Sequence, residues 1–285
     1  MFVPTPCACC LSSTVLVALG VVVLIVHMFG KTLTYLMPRQ KLGLKIYGWM
    51  SFILNISIVL VAIFFGVLIS NEKARNFVFY KLISGMAKYP HPMDELRCEN
   101  LKNLSGRILE IGPGPGTNFR CWQNNTNIQE WVGVEPNPFF QEKIEEQRIA
   151  MNISFPTRTV WLKGENVDVE PGSFDYVVGT HVLCSVDDVY TVLRQVSRAL
   201  KPQGAYYFLE HVAAEQGSTL EFWQQVFSPF FLVVGNGCKF KTLWHDLTAN
   251  TGLSGFEVSL ERIDISAIVP IPLIAPHVKG VAIKQ

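Results

Sequence analysis

Two long stretches without a charged residue constrain this chain more than any other feature. Residues 11–29 and 52–70 each run for 19 residues without Asp, Glu, Lys or Arg. An α-helix rises about 1.5 Å per residue, so each stretch is long enough to cross a hydrocarbon layer of roughly 30 Å. The first stretch lacks the basic start and small-residue cleavage site of a signal peptide. The sequence therefore predicts a membrane-embedded region at residues 1–70, formed by two transmembrane helices or by one helical hairpin.

The charge balance separates this region from the rest of the chain. Charged residues make up only 16% of the sequence, against about 25% in a typical soluble domain. Residues 1–70 hold four of the 24 basic residues and none of the 23 acidic ones, so the remainder carries a small net negative charge. Because a nucleic-acid-binding domain normally presents a basic surface, we expect no nucleic-acid partner.

The seven cysteines show no informative spacing. Cys98, Cys121, Cys184 and Cys238 are scattered along the second part of the chain, without the short intervals typical of zinc ligands. We therefore expect neither a disulfide framework nor a zinc site, as is usual for thiols in a reducing compartment.

Beyond residue 105, short apolar runs alternate with helical stretches. The expected strands are Arg107–Ile111, Glu130–Val134, Thr159–Leu162, Phe174–Gly179, Ala205–Glu210, Phe256–Arg262 and His277–Ile283. The expected helices lie at about 117–124, 137–149, 187–200, 218–227 and 241–251. This alternation predicts an α/β domain at residues 105–285, with a mostly parallel, doubly wound sheet and helices on both faces. Residues 71–104 are expected to form an amphipathic linker.

A glycine-rich loop follows the first expected strand. Gly112, Gly114 and Gly116 come directly after Glu110 and Ile111, between a strand and a helix. Glycines at this place allow a ligand to approach the backbone closely. In a dinucleotide-binding fingerprint the third glycine comes one position later, and the Glu110 carboxylate would repel a pyrophosphate. The ammonium and sulfonium groups of S-adenosylmethionine suit this carboxylate better, although NAD or FAD binding and a ligand-free turn remain alternatives.

A second acidic residue stands where a nucleoside ligand needs one. Glu135 ends the second expected strand, 19 residues after Gly116. A carboxylate at about this distance from a glycine loop commonly accepts hydrogen bonds from ribose hydroxyls. Together, the glycine loop and Glu135 favour a loop that binds a nucleoside cofactor over a turn that binds no ligand.

From these motifs the sequence resembles the class I S-adenosylmethionine-dependent methyltransferases, in the form whose first motif is Glu-x-Gly-x-Gly-x-Gly. Within that class it is similar to the membrane-anchored thiol S-methyltransferase family (methyltransferase-like protein seven). The stretches that carry the similarity are Gly164–Asn166, His181–Val186, Phe208–Glu215, Phe222–Val226 and Pro276–Gly280.

The resemblance implies a fold, a location and site residues. It implies a Rossmann-like domain that faces the cytosol from membranes of the endoplasmic reticulum or lipid droplets and methylates small lipophilic thiols. Glu110 would lie near the methionine moiety, the three loop glycines against the cofactor, and Glu135 on the ribose. Glu165 and Asn166 would approach the adenine. Two positions depart from the pattern of related enzymes: Lys163 replaces an Asp, and Gln203 replaces a glycine.

Residues at the ends of the later strands are the candidates for catalysis. A thiol needs only modest help to become a thiolate, and His211, with Glu210 beside it, or His181 is placed to give it. Each of them has the alternative role of fixing a loop, and Cys184 is interpreted as a packed small residue. No Asp/Glu/His cluster indicates a catalytic metal. The apolar stretch 226–235 is a candidate lid over the acceptor.

Three functions remain open at this point. The first is a membrane-anchored thiol S-methyltransferase. The second changes the acceptor to a lipid, a quinone or a sterol, and the third is a membrane adaptor that keeps the fold without catalysis. Three glycosylation sequons beyond residue 70, at Asn103, Asn124 and Asn152, are expected to stay unmodified because the cofactor is supplied from the cytosol.

Overall fold

The computed structural model describes residues 41–87, 92–248, 252–269 and 271–285. By internal contacts the chain divides into two compact units, Met1–Ala74 and Arg75–Gln285. The first expected membrane stretch, residues 11–29, lies outside the described residues, as do Pro90 and the tip of the expected helix at 249–251.

The described part of the first unit is dominated by one helix, α1 (Lys41–Ser70). Its segment Ser51–Ser70 has a mean hydropathy of 2.9, and little of it is buried. Large apolar side chains such as Trp49, Phe52 and Leu60 are exposed. Among the described residues this is the one helix that is long and apolar enough to cross a membrane.

The second unit is built on one seven-stranded sheet. Its strands are β1 (Gly106–Ile111), β2 (Ile128–Val134), β3 (Thr157–Val160), β4 (Phe174–Thr180), β5 (Leu200–His211), β6 (Phe256–Asp264) and β7 (Pro276–Lys284). The strand order is β3-β2-β1-β4-β5-β7-β6. The first five strands are parallel, and β7 runs antiparallel to both neighbours. All seven expected strands are confirmed, and the chain reverses its winding between β1 and β4, the usual place for a ligand.

Two hydrophobic clusters cover the two faces of the sheet. Because successive side chains of a strand point to opposite faces, Leu109 of β1 joins one cluster and Ile108 joins the other. The first cluster packs the helix after β4 against the sheet, and the second contains Phe119, Trp122 and Trp131. Both clusters support the carboxyl end of β1, from which the glycine loop emerges.

The helices follow the expected order, with two differences in length and one in type, since the expected helix at 117–124 is a 3₁₀ turn. They are α2 (Glu72–Met86), α3 (Met93–Leu101), α4 (Gln141–Ala150), α5 (Val189–Ala199), α6 (Thr219–Val234) and α7 (Leu243–Asp246), with a 3₁₀ turn at Thr117–Trp122. Helix α6 continues through Pro229 to Val234, beyond the expected end at residue 227. Helix α7 has only four residues, and the carbonyl of its last residue, Asp246, accepts from the Gly252 N–H.

One disulfide corrects the expectation drawn from cysteine spacing. Cys98 of α3 is bonded to Cys121 in the 3₁₀ turn after the glycine loop, 23 residues along the chain. The fold brings the two together because α3 packs directly on that turn, where the Trp122 indole donates to the Leu101 carbonyl. Cys184 and Cys238 are free and buried.

Candidate active site

The glycine loop adopts a backbone that side chains would oppose. Gly112, Gly114 and Gly116 have φ angles of +65°, +53° and +83°, which L-residues rarely adopt. A Cβ atom on Gly112 would lie 2.5 Å from Cγ2 of Val182, whereas a Cβ on Gly114 would meet nothing within 4 Å. The middle of the loop therefore presents bare backbone to open space, as a ligand-binding loop requires.

Glu110 lies beneath this loop and is 2% exposed. Its two carboxylate oxygens accept hydrogen bonds from the Asn118 amide and from the Trp131 indole N–H, each at 2.8 Å. Burial raises the pKa of Glu110 to about 7. The structure thus places a buried, hydrogen-bonded carboxyl immediately before the loop, and its contact with the cofactor stays a prediction.

Glu135 joins the second strand to the loop. One oxygen accepts from the backbone N–H of Gly114 at 3.0 Å, and the other accepts from the N–H of Asn137 at 2.9 Å. Burial raises the pKa of this carboxyl to about 7 as well. In the sequence, only the spacing related Glu135 to the glycine loop. In the structure, the two are joined by a hydrogen bond.

An unpartnered acceptor completes this part of the site. Asn118 is buried, and its amide nitrogen donates to Glu110 and to the Thr180 hydroxyl. Among the described residues, its Oδ1 atom has no hydrogen-bond partner. A buried acceptor without a donor calls for a ligand donor, and the ammonium group of S-adenosylmethionine is such a donor. The residues present therefore fit this cofactor: two carboxylates, one free acceptor and an open loop.

Glu165 and Asn166 lie in a 3₁₀ turn, Gly164–Asn166, after β3. The Glu165 carboxylate accepts from the N–H groups of Asp187 and Asp188, before α5. Asn166 is exposed. Glu165 therefore fixes this edge of the site, and contact of either residue with adenine stays a prediction.

Glu210 holds a loop rather than a histidine. It is fully buried in β5, and its oxygens accept from the N–H groups of Val182 and Leu183, each at 3.1 Å. Burial raises its pKa to about 8. Glu210 therefore fixes the loop after β4. The imidazole of His211 points to the opposite face of the sheet, because neighbouring residues of a strand alternate between the two faces.

Three histidines gather at the ends of β4, β5 and β7. His181 has a φ of +55°, and its Nε2 atom lies 2.9 Å from Nε2 of His277. Burial, followed by the nearby His277, lowers the pKa of His181 well below its ordinary value. His277, which the sequence did not single out, also contacts the Ala275 carbonyl. This pair is neutral at physiological pH.

His211 contacts two cysteines. Its Nε2 atom lies 3.1 Å from Sγ of Cys238, which follows α6. Burial by itself would lower the pKa of His211, but the Cys184 sulfur beside it raises the value. The ammonium of Lys241 donates to the carbonyls of Leu183 and Val186 and fixes the segment that carries Cys184. Sequence spacing did not reveal this grouping, since 54 residues separate the two cysteines.

This sheet order, with a glycine loop after β1 and a carboxylate after β2, defines a class I methyltransferase. In agreement, residues 86–251 match a family model described as a methyltransferase domain, and the chain belongs to this methyltransferase family. It is therefore an S-adenosylmethionine-dependent methyltransferase.

Two human proteins similar to this chain are both thiol S-methyltransferases. The chain is 36% identical to thiol S-methyltransferase TMT1A of Homo sapiens over 219 residues, which cover 72% of this chain and 85% of the relative. It is 37% identical to thiol S-methyltransferase TMT1B of Homo sapiens over 197 residues, covering 66% and 75% of the two chains. Both names agree with the resemblance found in the sequence.

Solved structures support the fold. Phosphoethanolamine N-methyltransferase 2 of Haemonchus contortus, in complex with S-adenosylmethionine, superposes with a TM-score of 0.58 at 15% identity, covering 78% of this chain and 60% of that one. A methyltransferase from Thermotoga maritima gives 0.51 at 19% identity, over 73% and 99% of the chains. These neighbours share the fold, and membership of the methyltransferase family gives S-adenosylmethionine as the cofactor.

Proposed function

We propose that this methyltransferase acts on a small lipophilic thiol. The observation that carries the proposal is the pair of human relatives, both thiol S-methyltransferases that align over most of their length. A buried group of polarisable side chains at the ends of β4 and β5, beside the glycine loop, gives a sulfur nucleophile suitable surroundings. Lipid, quinone or sterol acceptors are the alternative within the same reaction class. The third function, an adaptor without catalysis, does not agree with membership of this enzyme family.

The bound cofactor supplies a methyl group on a positively charged sulfur. In this proposal Glu110 and Asn118 hold its methionine end, the loop glycines line it, and Glu135 accepts from the ribose. Glu165 and Asn166 border the adenine. His211 stabilises the thiolate form of the acceptor, while Glu210 and His181 position the loop after β4. Catalysis then depends on aligning sulfur and methyl group.

A labelled-methyl assay on the full chain tests the acceptor. Purified protein is incubated with methyl-labelled S-adenosylmethionine and either alkyl and aryl thiols or a lipid extract containing quinones and sterols. Label in the thiol fraction is expected, and a Glu135→Ala variant should transfer at least tenfold less at a limiting cofactor concentration. Label confined to the lipid extract would overturn the thiol acceptor.

Membrane anchoring is the second part of the proposal. Helix α1 supplies one segment that can span a bilayer, and residues 11–29 supply a second apolar stretch, so that two spans or a hairpin anchor the enzyme. Helix α6 adds an exposed apolar face of Phe222, Trp223, Val226 and Phe227. We propose that this face lies on the bilayer and admits acceptors from it, because the same chain carries its own membrane segment.

Replacing two aromatic residues of this face tests its role. A Trp223→Ser/Phe227→Ser variant is expected to raise the KM for a lipophilic thiol several-fold and to leave the KM for a water-soluble thiol unchanged. The control is Ile149→Ser, an even more exposed apolar residue on α4, which should change neither value. Equal effects on both thiols would contradict a route through the bilayer.

We propose that the catalytic unit faces the cytosol, at the endoplasmic reticulum or at lipid droplets. The three sequon asparagines, Asn103, Asn124 and Asn152, are all exposed. Each of them would therefore be open to glycosylation if the catalytic unit faced the lumen. We expect no mass shift on treatment of the cellular protein with endoglycosidase. A shift that maps to any of the three would place the catalytic unit in the lumen, where the Cys98–Cys121 disulfide would also be stable.

A further inference from the structure

Three buried side chains from separate parts of the second unit converge behind the glycine loop. Cys184 follows β4, His211 ends β5, and Cys238 follows α6. Their ligand atoms all lie within 4.8 Å of one another, and their exposed fractions are 3%, 7% and 7%. No other group of three or more His, Cys, Asp or Glu side chains converges in this way within the described ranges.

The donor set has a definite chemical preference. Two sulfurs and one imidazole nitrogen are the soft donors that bind zinc, and three protein ligands with an open fourth position are typical of catalytic zinc sites. Metal–ligand bonds of about 2.3 Å to sulfur and about 2.0 Å to nitrogen place tetrahedral ligand atoms roughly 3.5–3.8 Å apart. On binding an ion, the 3.1 Å between Sγ of Cys238 and Nε2 of His211 would widen by a few tenths of an ångström, and separations of up to 4.8 Å would shorten by about 1 Å.

The polar bonding of His211 supports an ion rather than ordinary packing. A buried histidine normally bonds through its ring nitrogens, yet Nδ1 of His211 is buried with no partner among the described residues. The other nitrogen, Nε2, lies 3.1 Å from the sulfur of Cys238 and within 4.8 Å of the sulfur of Cys184. Neither ring nitrogen has an oxygen or nitrogen partner among the described residues, so Nε2 is free to bind a metal ion beside the two sulfurs.

The cluster lies next to the cofactor loop. Val182 fills the space beside Gly112, and it stands two residues before Cys184 in the same segment. The carboxylate of Glu210 fixes this segment through the N–H groups of Val182 and Leu183. The aromatic rings of Phe231, Phe240 and His211 form a chain of contacts from α6 to the cluster.

We propose that Cys184, His211 and Cys238 bind one zinc ion, whose open position takes the sulfur of the acceptor thiol. This inference rests on the proposed function. The acceptor R–SH binds as a thiolate and releases its proton to solvent. The thiolate sulfur then forms a bond to the methyl carbon of S-adenosylmethionine, the carbon–sulfonium bond breaks, and its electron pair stays on the sulfur of S-adenosylhomocysteine.

Metal analysis of the full chain tests the site directly. The detergent-purified protein is incubated with zinc, passed through a desalting column and analysed by mass spectrometry of the elements. About one zinc per chain is expected, falling at least tenfold in Cys184→Ser/Cys238→Ser. The matched control is Cys98→Ser/Cys121→Ser, which removes two cysteines remote from the cluster and should retain its zinc. Zinc that stays bound in the first variant would overturn the assignment.

Cobalt gives a measurement that needs no variant. Wild-type protein loaded with Co²⁺ is expected to show thiolate-to-metal charge-transfer absorption and the visible bands of a four-coordinate ion. A thiol acceptor should shift the visible bands, because its sulfur enters the open position. No charge-transfer absorption, or a Cys184–Cys238 disulfide found by peptide mapping of the native protein, would overturn the proposal.

Activity then separates this inference from the proposed function. Removal of zinc with a chelator should reduce thiol methylation at least tenfold while the affinity for S-adenosylhomocysteine stays unchanged, and added zinc should restore the rate. If the metal-free protein methylates thiols at the full rate, the zinc site is wrong and the thiol S-methyltransferase proposal stands. If zinc binds but no thiol accepts the methyl group, the proposed acceptor is wrong.

Discussion

The Oε2 atom of Glu135 lies 3.0 Å from the backbone nitrogen of Gly114, so the acid that ends β2 is bonded to the middle of the loop that follows β1. The same carboxylate accepts from the N–H of Asn137, which fixes it on both sides. Two motifs that are 21 residues apart along the chain therefore act as one structural unit. A change in either one alters the shape of the cofactor site.

Substitution of Gly114 should weaken cofactor binding without unfolding the domain. In Gly114→Ala the new Cβ enters open space that the ligand needs, and the φ of +53° becomes strained. We expect the Kd for S-adenosylhomocysteine to rise at least tenfold in isothermal titration calorimetry. Gly172→Ala is the matched control, because Gly172 has a φ of +61° and equally open surroundings in an exposed turn before β4. An equal loss of affinity in both variants would contradict a specific role for the loop.

Cofactor affinity should depend on pH in a defined direction. Burial raises the pKa of both Glu110 and Glu135 to about 7, and a cationic ligand favours their ionised forms. Affinity for S-adenosylmethionine should therefore rise with pH through this value and fall by up to about tenfold per pH unit below it for each carboxyl. Titrations at about pH 6 and about pH 8 measure the change, which should be shallower in Glu135→Gln. An affinity that falls as the pH rises would contradict the assignment.

The stability of the ligand-free protein should show the opposite trend. A carboxyl whose folded pKa is raised from 4.5 to about 7 contributes stability in full below pH 4.5 and loses it as the pH rises through 7. The melting temperature without cofactor should thus decrease across this range, and saturating S-adenosylhomocysteine should reduce the decrease. A melting temperature that rises steadily over the same range would contradict the burial of these groups as acids.

Reduction of the disulfide should destabilise the second unit. The bond closes a loop of 23 residues between Cys98 and Cys121, and a loop of this size corresponds to about 3 kcal/mol of unfolding free energy. Denaturant unfolding of the oxidised wild type should show this loss on addition of a reductant. The Cys98→Ser/Cys121→Ser variant should be equally destabilised and insensitive to the reductant. Sensitivity that persists in this variant would assign the effect to other cysteines.

Gln203 offers a stabilising substitution. Its φ is +62°, in the region that favours glycine, and its side chain is exposed. Gln203→Gly removes the backbone strain, so we expect an increase in unfolding free energy of roughly 0.5–1 kcal/mol. Thermal unfolding measures the gain, with Gln203→Ala as a control that keeps the strain. A lower melting temperature in Gln203→Gly than in Gln203→Ala would refute this interpretation.

The strands could be predicted because each one is a short apolar run between turn residues. Helix lengths were harder to predict. The expected helix ended at residue 227, but α6 continues through Pro229 to Val234, and the aromatic contact of Phe231 with Phe240 lies beyond the proline. Helix α7 ends at Asp246, well before the expected end at residue 251.

The cofactor residues were also readable from sequence, since a glycine loop and an acid at fixed spacing form a local pattern. The partners of those residues were not. Asn118 and Trp131 reach Glu110 through the packing of separate elements, and Cys184 meets Cys238 only because β4 and α6 end at the same place. In both the cysteine cluster and the disulfide, the cysteines are too far apart along the sequence for their spacing to predict that they meet.

The most direct test of the account is calorimetric titration of the full chain, in detergent, with S-adenosylhomocysteine. The account predicts binding at one site in the wild type and a Kd at least tenfold weaker in Glu135→Ala, because loss of a charged acceptor costs about 1.5–3 kcal/mol. Glu142→Ala, an exposed acid on α4, should bind as the wild type does. Absence of binding heat in folded wild-type protein, or an unchanged Kd in Glu135→Ala, would contradict it.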